Sequence, residues 1–69
     1  MKNILTLYAS RDTYGKAESA QRTMTAGELR EFLDQFDDKL PIILAFDGGY
    51  TYGKILERRF EEEEYTEED

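Results

Sequence analysis

Met24-Thr25-Ala26-Gly27-Glu28-Leu29-Arg30-Glu31-Phe32-Leu33-Asp34-Gln35-Phe36-Asp37-Asp38-Lys39-Leu40-Pro41-Ile42-Ile43-Leu44-Ala45-Phe46-Asp47-Gly48-Gly49-Tyr50 is a continuous helix-turn-strand-turn sentence. Thr25 followed three residues later by Glu28 is a capping box: each residue's side chain can satisfy the other's backbone N–H. Met24 and Leu29 flank it as a hydrophobic staple. Leu29, Phe32, Leu33 and Phe36 then recur at i, i+3, i+4 and i+7, one apolar stripe. Pro41 pushes Leu40 out of helical geometry, which predicts a helix over 26–37. Pro41 to Phe46 is too short for a second helix and rich in β-formers, so it reads as a buried strand. Asp47-Gly48-Gly49 supplies residues that tolerate positive φ and signals a hairpin. The return strand would run from Tyr50 to Phe60, with Tyr52, Leu56 and Phe60 on one face and the stems of Lys54 and Arg58 beside them.

Outward from this stretch, Thr13-Tyr14-Gly15-Lys16 repeats as Thr51-Tyr52-Gly53-Lys54. Leu5 and Tyr8 correspond in spacing to Ile43 and Phe46. The repeat predicts a first hairpin from residues 3–9 and 14–22, its second strand polar and suited to an edge. The expected fold class is α+β: hairpin, helix, hairpin, with an antiparallel sheet of three to four strands and one helix packed on one face. Residues 1–60 form one small domain and 61–69 an acidic C-terminal tail. The chain has 69 residues. At that length burial and ordering entropy nearly cancel, so homodimerisation or docking on a partner would help it fold.

Nine basic residues against sixteen acidic ones give a net charge of −7. Residues 1–56 hold eight acids and seven bases, whereas 57–69 hold eight acids against Arg58 and Arg59. The imbalance therefore sits in Glu57, Glu61, Glu62, Glu63, Glu64, Glu67, Glu68 and Asp69. An acidic chain is a poor direct ligand for nucleic acid or an anionic membrane. The longest apolar run, Ile42 to Phe46, falls far short of the roughly 20 residues of a membrane span, and no signal peptide is visible. A cytoplasmic location is the default.

Chemistry is narrowed by absences. With no His and no Cys, the commonest general base, the thiolate nucleophile and thiolate zinc ligation are all missing. Asp47-Gly48-Gly49 is followed by no Lys-Ser/Thr pair and so resembles no phosphate-binding loop. Asp34, Asp37, Asp38 and Asp47 lack the spacing of a calcium loop. No catalytic residue, metal or cofactor is expected. Asp34, Asp37 and Asp38 stand at the negative end of the helix dipole, where acids oppose stability, and local choices of that kind often mark function. The bland alternative is a turn before Pro41.

The tail carries a second signal. An extended strand advances about 3.3 Å per residue, close to the roughly 3.4 Å charge spacing of one DNA strand. Extended Glu61-Glu62-Glu63-Glu64, flanked by Phe60 and Tyr65, therefore has the charge density of a nucleic-acid strand with flat apolar groups beside it. The other reading is a solvated end that serves only solubility.

Met24-Thr25-Ala26-Gly27-Glu28-Leu29, Asp37-Asp38-Lys39-Leu40-Pro41-Ile42 and Gly49-Tyr50 together resemble short uncharacterised proteins of phages and prophages, which run MT-x-x-EL, then D-x-x-LP-V, then a glycine-tyrosine turn. The body with its Glu/Tyr-rich end is similar in composition to phage-encoded DNA mimics that inhibit host defence enzymes. The first resemblance implies phage or prophage origin, and with it the host cytoplasm, but no activity; the second is one of composition and carries over no functional residue. Charge placement leads instead to the expectation of a non-catalytic inhibitor of a host protein with a basic nucleic-acid-binding surface. It would bind through Glu57, Glu61, Glu62, Glu63, Glu64, Tyr65, Glu67, Glu68 and Asp69, with Asp34, Asp37 and Asp38. The alternative is a small assembly or regulatory module, antitoxin-like subunits included, that pairs through a sheet edge or helix face.

Overall fold

Ile42–Phe46 forms the central strand, β2, of a three-stranded sheet in a computed structural model that describes residues 2–66. Strand β1, Leu5–Tyr8, lies on one side of it and β3, Thr51–Lys54, on the other. Between β1 and β2 in the chain come helix α1, Lys16–Ala20, and helix α2, Ala26–Leu33. A single 3-10 turn, Glu57–Arg59, follows β3. The described residues divide into two compact units: a sheet unit of residues 2–11 with 38–61, and a helical unit of 12–37 with 62–66.

The class is α+β, but the sheet is mixed. β1 runs parallel to β2, with Leu5 beside Ile42 and Tyr8 beside Ala45. Only β2 and β3 are antiparallel, Phe46 facing Thr51 and Ile43 facing Lys54. This corrects the expected hairpin-helix-hairpin order to β-α-α-β-β. The expected strand within 14–22 is helix α1. Gly15 is its N-cap and Thr13 closes the turn before it, its Oγ1 donating to the Gly15 carbonyl at 3.0 Å and accepting from the Gly15 N–H at 3.2 Å. Two copies of Thr-Tyr-Gly-Lys thus adopt different structures. The first leads into Ala17-Glu18-Ser19-Ala20, good helix company, while the second lies across a turn from a strand that offers it a ladder.

Helix α2 starts as its capping box dictates. Glu28 N–H donates to Thr25 Oγ1 at 3.1 Å, and Thr25 N–H donates to Glu28 Oε1 at 2.9 Å. It ends at Leu33, short of the expected 37. Gln35 Nε2 donates to the Phe32 carbonyl at 3.0 Å, taking the acceptor that Phe36 N–H would need to extend the helix. That N–H turns instead to the Leu33 carbonyl, also at 3.0 Å, in a tighter turn. Phe32 and Phe36 still meet edge-to-face, 5.5 Å between centroids.

The return strand also stops early, at Lys54. After it the chain leaves the sheet and turns into Glu57–Arg59. The turn between β2 and β3 keeps its expected place. Asp47, Gly48 and Gly49 take φ of 51°, 69° and 101°, and the Phe46 carbonyl accepts from both Gly49 and Tyr50. At the middle of the sheet Ala45 stands between Tyr8 and Tyr52 and is 1% exposed. Ala45 and Ala17 are the buried hydrophobic residues among those described.

Candidate functional site

Charge follows the two units. Among described residues the helical unit holds nine acids against Lys16, Arg22 and Arg30, a net of −6. The sheet unit holds six bases against four acids, a net of +2. The acidic surface is therefore a property of one structural unit as well as of the end of the chain.

Within the helical unit many acids already serve the fold. Arg22 Nη1 donates to Asp12 Oδ1 at 2.7 Å and Nη2 to Glu18 Oε1 at 2.6 Å. Ser19 Oγ donates to Asp12 Oδ2 at 3.1 Å, which ties the segment before α1 onto that helix. Glu28 is held in the capping box. Its carboxyl sits below its ordinary 4.5, first because the Thr25 N–H donates to the charged form and second through the Thr25 hydroxyl. Lys16 pairs with Glu63 and so anchors the acidic segment to α1. Glu31, Asp34, Glu62 and Glu64 are exposed and make no side-chain hydrogen bond or ion pair among the described residues.

The expected binding residues distribute as follows. Asp34 and Asp37 lie just beyond α2 in the helical unit, with Glu62, Glu63, Glu64 and Tyr65. Asp38, Glu57 and Glu61 belong to the sheet unit, Glu57 opening the 3-10 turn. Glu67, Glu68 and Asp69 lie outside the described residues. No helix or strand is assigned to residues 60–66, and the backbone at Phe60 is extended. Glu31 joins the expected residues on this unit. Its offset from the Leu29, Phe32, Leu33 and Phe36 stripe by helical spacing is the signal the sequence holds for it.

Among the described residues no three carboxylates converge closely enough to hold a metal ion. On the sheet unit one open groove is lined by Arg58, Arg59, Phe60 and Glu61, and another by Ala9, Arg11, Phe46, Asp47 and Gly48. Neither lining includes a hydroxyl or amine nucleophile. No described helix is long and apolar enough to cross a membrane. No protein-family model, curated protein or solved structure matches the chain.

Proposed function

We propose that the protein is a non-catalytic binder, an inhibitor of phage type, that docks its acidic helical unit on the basic nucleic-acid-binding surface of another protein. The observation that carries this reading is the separation of charge between the units, −6 on one and +2 on the other among described residues. Acids gathered on one unit speed encounter with a cationic groove and set the orientation of approach. Glu31, Asp34, Glu62 and Glu64, exposed and unpaired among the described residues, supply the carboxylates. Tyr65, 47% exposed, adds a flat apolar group directly after Glu64 in the chain. Carboxylates would occupy the Lys/Arg sites that otherwise take phosphates.

The test is capture from a cell lysate on the immobilised full-length chain, eluted by rising salt, with duplex DNA as competitor. The expected captives are basic nucleic-acid-binding proteins that leave early in the gradient and are displaced by DNA. Partners retained at high salt and indifferent to DNA would favour the assembly-module alternative.

A further inference from the structure

We propose that the outer edge of β1 is a self-pairing surface, through which two copies of this chain join their sheets antiparallel about Thr6. Backbone direction decides which groups are free to do this. Leu5 N–H donates to the Pro41 carbonyl at 3.0 Å and Ala9 N–H to the Ala45 carbonyl at 2.9 Å, so the odd-numbered residues of β1 face β2. By alternation the amides and carbonyls of Thr6 and Tyr8 point away from it. β1 is an edge strand, with no strand beside its outer side among the described residues.

Edge strands are usually guarded by charge, proline or irregularity. β3 fits that pattern, since it carries Gly53 and Lys54. β1 has no such guard. Asn3 to Ser10 contains no charged residue and no proline, in a chain that is 36% charged. Ile4, Leu7 and Tyr8 are 51%, 55% and 62% exposed.

The occupant is set by symmetry. A two-fold interface must be self-complementary, and Ile4-Leu5-Thr6-Leu7-Tyr8 is so about its centre. In an antiparallel pairing centred on Thr6, Thr6 meets the second copy's Thr6 in a hydrogen-bonded pair. Leu5 meets the second copy's Leu7 on one face, and Ile4 meets the second copy's Tyr8 on the other. Hydroxyl pairs and aromatic–β-branched pairs are among the favourable cross-strand matches. The product is a six-stranded sheet, β3-β2-β1 continued by β1-β2-β3 of the second copy. One strand pair covers less than the about 800 Å² per partner of a standard interface, so the dimer exchanges readily and depends on concentration. Pairing would also present the acidic helical unit twice.

Sedimentation of the full chain from the micromolar to the millimolar range tests this. The expected result is reversible dimerisation, with a nuclear Overhauser contact between Leu5 Hα and the second copy's Leu7 Hα in a mixed-isotope sample. Thr6→Pro removes only an outward N–H and leaves the β1–β2 ladder intact. Thr6→Lys sets two like charges face to face. Each, while retaining the circular dichroism of the folded chain, should weaken association roughly tenfold or more. A chain that stays monomeric at millimolar concentration overturns the proposal. So does a dimer that survives both variants, or one without the Leu5–Leu7 contact, which is read on the unmodified chain and depends on neither variant.

Discussion

The ring of Phe46 lies against Gly53: a Cβ placed on Gly53 would stand 2.9 Å from Phe46 Cε2. Gly53 pairs with Leu44 and Phe46 with Thr51, so the ring reaches diagonally across the hairpin to fill the space a side chain would take. Gly53→Ala should therefore weaken the β2–β3 hairpin. Phe46 is 41% exposed and can partly swing away, which limits the expected loss to about 1 kcal/mol. Chemical denaturation would measure it. An unchanged midpoint would mean the ring does not rest on Gly53 in solution.

A substitution in open space isolates the backbone contribution of the same hairpin. Gly48 has φ of 69°, and no atom lies within 4 Å of the point where a Cβ would stand. Gly48→Ala meets no clash, so its cost of about 1 kcal/mol would come from the left-handed conformation alone. A stabilised protein would show that the turn takes another form.

Thr25→Ala should remove the acceptor for Glu28 N–H and cost about 1 kcal/mol. The matching pH effect has a defined sign. Folding holds the Glu28 carboxyl below its ordinary 4.5. Its contribution is thus present above that value and fades as pH falls through the lowered, folded-state value. Acid titration of helical circular dichroism should show a loss in the unmodified protein that is smaller in Glu28→Gln. Equal losses in both would mean that the capping box does not stabilise the helix start.

The start of α2 is legible in the sequence because Thr25 and Glu28 interact within four residues. The Asp47-Gly48-Gly49 turn is legible because its backbone demands are local. The parallel placement of β1 is not. It depends on a pairing between Leu5 and Ile42, far apart in the chain, and nothing near Leu5 states the direction of its partner. The Thr-Tyr-Gly-Lys repeat misleads for the same reason, since the neighbours of each copy decide its structure. The helix end is hidden in a single side-chain interaction, Gln35 on the Phe32 carbonyl. On the candidate surface, the acids of the tail are obvious from composition. Their tie to α1 through Lys16 and Glu63 is not, because 47 residues separate the two.

Removing residues 61–69 should leave the protein folded. Among described residues this deletes the exposed pair of Lys16 and Glu63, and such pairs contribute about 0–1 kcal/mol. Thermal melts of the shortened and full chains would compare them. A shortened chain without a cooperative transition would make the acidic segment part of the folding unit.

Binding of the captured partner to charge-neutralised variants tests the role of the acidic surface most directly. Glu62, Glu63 and Glu64 changed together to Gln keep their size and lose three charges. Asp34 and Asp37 changed to Asn form the matched pair on the same helical unit. Either set should slow association and flatten the dependence of affinity on salt, and DNA should compete with the unmodified protein for the partner. Unchanged affinity and salt dependence in both variants, with no competition from DNA, would contradict recognition through the acidic surface.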